Sequence, residues 1–196
     1  MVNSKMIPSL ILGVIIFAAV GFGLYFLRFS SSPKHQSYST KDIYLEMRNR
    51  AFTTKADKIG LQSDTLEPYG IIVETGLQNG ISTVVIYKTG DASMYFSSGG
   101  GYIGGIGHEE IRNAVSKTIE KTQDQIPRMK PTNEYPLVER GQVRVYALTP
   151  SGLFYDESTE SAVFDSDSAA RVIFSEIQDV ITGFRHIDEI RNVSKQ

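Results

Sequence analysis

The sequence predicts an α+β fold: a five-stranded, mainly antiparallel sheet, made of a three-stranded meander plus a hairpin, packed with helices and preceded by one transmembrane helix. Three observations carry this reading. Asn79-Gly80 and Gly90-Asp91 join three consecutive runs of strand character, and turns that short permit only antiparallel pairing. Apolar residues recur at helical spacing before, between and after the strand runs. An uncharged stretch from Met6 to Leu27 is long enough, at about 1.5 Å per helical residue, for the ~30 Å hydrocarbon core of a bilayer.

Read from its start, the chain divides into a tail over 1–5, a membrane span over 6–28, a serine-rich tether over 29–40 and one globular domain over 41–196. The apolar run continues through Phe26 and Leu27 past Ala18 and Ala19, which reads as an uncleaved anchor rather than a signal peptide. Lys5 alone precedes the span, whereas Arg28, Lys34, Lys41, Arg48 and Arg50 follow it, so the domain is expected at the cytoplasmic face. The lipid bilayer, met through Met6–Leu27, is thus the first expected partner.

A helix is expected from Ser39 or Thr40, with Ile43, Met47 and Ala51 on its apolar face and Pro68 closing the region. Three strands follow over Tyr69–Leu77, Ile81–Lys88 and Ala92–Ser98. After the glycine-rich stretch, Ile111, Ala114, Val115, Thr118, Ile119, Thr122 and Ile126 mark one stripe of a helix that Pro127 stops. A polar connector leads to a hairpin of Gln142–Thr149 and Gly152–Glu157, turning at Pro150-Ser151-Gly152. Ala162–Phe164 is a candidate edge strand. A closing amphipathic helix from about Ser166 to Asn192 places Ile173, Ile177, Val180 and Phe184 on one side.

Several function classes are disfavoured by composition. A net charge of -2 and a pI near 5.9 supply no basic face for nucleic acid. The chain has no cysteine, which removes thiol catalysis and thiolate metal sites. His35, His108 and His186 share no ligand spacing, so no metal and no cofactor is expected. Asp156–Asp167 lacks the ligand pattern of a calcium loop and reads as a solvated, helix-capping segment. Glu74 interrupts an apolar strand run; it is the one carboxylate of interest beside His108 for base chemistry, though a solvent-facing strand glutamate is the expectation.

The candidate site is the loop Ser97–His108, with six glycines in the nine positions from Gly99 to Gly107. Gly99 to Gly104 spells G-x-G-x-x-G, but the parallel βαβ unit that gives that motif its chemistry is absent. Two binding readings stay open. Backbone N–H groups of Gly99, Gly100, Gly101, Gly104, Gly105 and Gly107, with Ser97, Ser98 and His108, could hold an anionic metabolite or nucleotide, against the repulsion of Glu109 and Glu110. Alternatively Tyr102 and Ile103 could anchor a protein partner. A structural reading is that the glycines let the chain leave an edge strand, pass over the sheet and enter the helix, with Tyr102 and Ile103 filling a gap.

The stretch from Gly70 to His108, GIIVETGL followed by STVVIYKTGDASMYFSSGGGYIGG, resembles an uncharacterised type of bacterial domain with a YFSSGGGxIGG signature. The resemblance implies a bacterial origin and one intact domain and carries no activity with it. The element order is also similar to that of profilin-like and roadblock-like domains, with the division of strands around the central helix reversed. The leading expectation is a membrane-anchored, non-enzymatic interaction or scaffold module with a protein partner, also able to form a homodimer through a sheet edge or the last helix. The alternative is a sensor for an anionic ligand at residues 97–108.

Overall fold

The computed structural model describes residues 39–60 and 67–193. The span and most of the tether expected over residues 6–38 lie outside the described residues. Among those described, no helix is long and apolar enough to cross a membrane.

The element order is α1 (Thr40–Thr53), a 3-10 turn (Ala56–Ile59), β1 (Gly70–Leu77), β2 (Gly80–Tyr87), β3 (Ala92–Phe96), β4 (Gly101–Ile103), α2 (Glu109–Gln123), β5 (Lys130–Thr132), β6 (Gln142–Thr149), β7 (Gly152–Thr159) and α3 (Ala169–Val193). Among the described residues the sheet has seven strands in the order β4-β3-β2-β1-β6-β7-β5, and every pairing is antiparallel. The expectation of five strands is therefore corrected to seven. The five expected strands are present. The two additions, β4 and β5, are three-residue edges that no periodicity announces, because only pairing with β3 and β7 makes them strands. Ala162–Phe164, read as an edge strand, is a turn whose Val163 is buried in the core.

Both faces of the sheet are covered, which is why β1, at its centre, reads as a near-continuous apolar run. On one face Ile71, Val73, Val84, Ile86, Val143 and Val145 pack under α2 and α3, whose stripes contribute Ile111, Val115, Ile173, Ile177, Val180 and Phe184. On the other face Ile72, Val85, Tyr146 and Leu148 pack under α1 with Tyr44 and Ala51. Ser39 caps α1 in a capping box with Asp42, whose carboxyl the Ser39 hydrogen bonds hold below its ordinary value. Asp156 accepts from the Ala170 N–H at 2.9 Å and Ser168 Oγ from the Arg171 N–H, so the acidic segment before α3 does cap that helix.

Candidate functional site

The register of the sheet lines up a polar row on the face beneath α1. Tyr95 of β3 opposes Thr83 of β2, Thr83 opposes Glu74 of β1, Glu74 opposes Arg144 of β6, and Arg144 opposes Glu157 of β7. Opposed residues in an antiparallel sheet project from the same face, so these side chains neighbour one another. Glu74 is fully inaccessible to solvent, not solvent-facing as its position in the sequence suggests. Arg48 of α1 reaches it with Nε to Oε1 at 2.6 Å and Nη2 to Oε2 at 2.7 Å, a bidentate pair.

Further contacts surround the pair. Arg48 Nη2 donates to the Tyr135 carbonyl at 2.7 Å and to that of Pro136 at 3.1 Å, and its guanidinium lies over the Phe52 ring at 4.9 Å. Thr83 Oγ1 donates to Glu74 Oε1 at 3.2 Å, which leaves it to accept from the Tyr44 hydroxyl at 2.9 Å. Burial works to lower the Arg48 pKa, and the hydrogen bonds and charge of Glu74 outweigh it, so the guanidinium sits above its ordinary value. Burial raises the Tyr44 and Tyr95 hydroxyls, with the Glu74 charge adding to both. Among the described residues the buried Tyr95 hydroxyl has no hydrogen-bond partner.

The Arg48–Glu74 pair is buried under α1 and the connector after β5, so it fastens helix, sheet and connector together. His108 lies apart from it. That residue is exposed and precedes α2, which covers the opposite face, so the sheet separates it from Glu74. Its side chain forms no cap on α2. Among the described residues no His, Cys, Asp and Glu cluster could hold a metal ion.

The glycine triplet is the turn of a β3–β4 hairpin. The Gly99 N–H donates to the Phe96 carbonyl at 2.9 Å and the Phe96 N–H to the Gly100 carbonyl at 3.2 Å. Gly99 and Gly100 have φ of 104° and 79°, a region in which a side chain is strained. At Gly101 a Cβ would come within 2.3 Å of the Met94 carbonyl oxygen, so β4 can begin there only without a side chain. Ser97 anchors the turn, its hydroxyl accepting from the Ile81 N–H at 2.8 Å, while Ser98 is exposed. Tyr102 stacks on Phe184 at 5.4 Å and donates to Asp188 at 2.7 Å, a bond that raises its hydroxyl pKa. Gly104 to Gly107 then form a turn toward α2, with Gly105 buried against Ala92 and Ile111.

Of the candidate residues, the fold gathers Gly99, Gly100, Gly101 and Ile103 and leaves Ser97, Ser98, Gly104, Gly105, Gly107 and His108 outside the group. Together with Thr40, Ile43, Tyr44, Met47, Tyr95 and Phe96, the gathered residues line a hollow of about 390 Å³ between α1 and the hairpin. It continues along β3 into a second hollow of about 530 Å³ that shares Ile43, Met47, Tyr95 and Ile103 and ends near Tyr87, Asp91 and Arg50. Among the described residues no charged side chain lines the first hollow. Ile103 is 75% exposed and Ile43 49%.

The sequence reading places Ile43 and Met47 in the core, whereas α1 turns Tyr44, Arg48 and Ala51 to the sheet. The i, i+4, i+7 spacing of those three carries the hint, masked by a cation in the middle of the buried face. No protein-family model, curated protein or solved structure matches this chain.

Proposed function

We propose that the domain is an interaction module that binds a protein partner through the groove between α1 and the β3–β4 hairpin and acts at a membrane. The observation that carries the proposal is the lining of that groove: Ile43, Met47, Tyr95 and Ile103 form its walls and floor, and among the described residues the end beneath the glycine turn is uncharged. An aromatic and aliphatic cleft of this size suits apolar side chains of a partner segment. Among the described residues a phosphate or nucleotide would find no Lys, Arg or His lining the hollow at the glycines. Attachment to a bilayer rests on the uncharged sequence Met6–Leu27, and a cytoplasmic position for the domain rests on the Lys and Arg residues that follow it.

The test is a photo-crosslinking amino acid placed at Ile43 in the full chain, with Lys121, an exposed residue of α2 on the opposite layer, as the control position. The expected result is a discrete protein adduct from position 43 that is absent from position 121 and lost when Met47 is replaced by aspartate. Equal labelling from both positions, or none from 43, rejects the groove as a binding surface.

A further inference from the structure

The two edges of the sheet are built differently. The β5 edge, Lys130-Pro131-Thr132, carries a cation and a proline, devices that keep another strand from adding. The β4 edge, Gly101-Tyr102-Ile103, carries neither. Its hydrogen-bonding phase follows from the turn. Because the Phe96 N–H donates to Gly100 and Met94 opposes Tyr102, the polar backbone groups of Tyr102 face β3 while those of Gly101 and Ile103 point outward. Among the described residues, no turn, cap or side-chain hydrogen bond engages those outward groups.

Side chains on this edge alternate in the same phase. Gly101 opposes Tyr95 and Ile103 opposes Ser93, so both belong to the face that carries α1 and the groove. One edge strand therefore presents a hollow over Gly101 and, two residues on, an exposed isoleucine on the same face.

We infer that the groove takes a second copy of this chain, by antiparallel pairing of β4 with β4 about a two-fold axis through Tyr102. This inference rests on the reading of the groove as a protein-binding surface. Pairing centred on Tyr102 sets Ile103 opposite the partner's Gly101, and Gly101 opposite the partner's Ile103. These are the residues whose N–H and C=O groups point outward, so both pairs are of the hydrogen-bonded kind. Each Ile103 side chain then lies beside the partner's Gly101, at the hollow that Gly101 and Tyr95 line. The contact is isologous: each copy supplies the same knob and the same hole.

Charge is consistent with that symmetry. A two-fold axis brings residues near their own copies, which penalises a charged edge, and among the described residues neither β4 nor the hollow beside it carries a charge. A ladder of three residues with two seated isoleucines buries less than the roughly 1,200 Å² of a standard stable interface. The dimer is thus a transient one, and it is best read by trapping it in the intact chain.

The chain has no cysteine, so Ile103→Cys supplies the only thiol. Two differently tagged full-length copies carrying it are co-expressed in bacteria and treated with a short bis-methanethiosulfonate crosslinker, with Lys121→Cys as the control. In the proposed register the two 103 positions are diagonal neighbours, roughly 8–9 Å apart between Cα atoms. The expected product is a covalent dimer carrying both tags, at least about tenfold more abundant than in the control.

A second measurement uses split-luciferase fusions of the cysteine-free chain. Ile103→Pro removes an outward N–H that β3 does not use, so the hairpin persists while luminescence falls about tenfold. Unchanged luminescence overturns the inference. An adduct at 103 to a different protein overturns the second copy while upholding the groove. No adduct at 103 overturns the dimer, and labelling at position 43 then decides the groove reading independently.

Discussion

Replacing Glu74 with leucine tests the part of the structure that holds α1 in place. The substitution leaves the Arg48 guanidinium buried, with only the Tyr135 and Pro136 carbonyls as polar partners among the described residues. Arginine does not relieve this by losing its proton, because it stays charged at any pH the fold survives. Removing one member of a buried pair costs about 3–5 kcal/mol, a large share of the ~5–15 kcal/mol that stabilises a domain. At about 2–4 °C per kcal/mol for a domain of this size, thermal unfolding should fall by roughly 6–20 °C.

The double variant Arg48→Met/Glu74→Leu removes both charges and fills the space with apolar side chains. It should recover most of the loss and end within about 1–2 kcal/mol of the parent, the remainder being the Thr83 hydroxyl left without its acceptor. Circular dichroism of the full chain in mild detergent reads all three proteins. If Glu74→Leu costs under about 1 kcal/mol, or if the double variant unfolds no higher than the single, the pair does not clamp α1 as described.

Burial raises the hydroxyl pKa of Tyr44, Tyr95 and Tyr146 above the ordinary 10.0, so above pH 10 the unfolded chain releases protons that the folded chain keeps. Stability is therefore intact below pH 10 and falls above it, by about 1.4 kcal/mol per pH unit for each tyrosine that stays protonated; denaturant midpoints from pH 8 to 11 measure this, and a flat profile contradicts it. Gly76→Ala puts a Cβ at 1.8 Å from the Glu139 carbonyl oxygen, so the connector must lift from the sheet. Tryptic cleavage at Arg140 should then accelerate at least tenfold, and an unchanged rate would count against the packing. Gly100→Ala meets open space and costs only the strain of its positive φ, about 1 kcal/mol, whereas Gly101→Ala collides with the Met94 carbonyl and should cost clearly more. Urea midpoints give the order, and a reversed order refutes the assignment of the triplet to a hairpin turn.

Some elements were legible because local chemistry alone specifies them. Asn79-Gly80 set the β1–β2 hairpin, Ser39 and Asp42 set the start of α1, and the stripe from Ile111 to Thr122 is the buried face of α2. Each depends on residues within a few positions of one another, so turn geometry, capping and helical periodicity suffice. Within the candidate loop the same logic identified the glycines but not their company. Gly100 and Gly101 meet Ile43 and Met47 across some fifty residues of chain, and no local pattern encodes that distance.

The tertiary structure alone decided three matters. β4 and β5 became strands only because β3 and β7 offered them free edges, since three residues have no stable extended form of their own. Glu74 became buried because α1 lies over β1 and supplies Arg48 from a position 26 residues earlier; a carboxylate enters an apolar interior only when its counter-ion is brought to it, and that is a property of packing. The third is the groove. The sequence marked an amphipathic helix and a glycine-rich turn, and the rotation of α1 by the Arg48–Glu74 pair left Ile43 and Met47 beside an open sheet edge rather than beneath the helix.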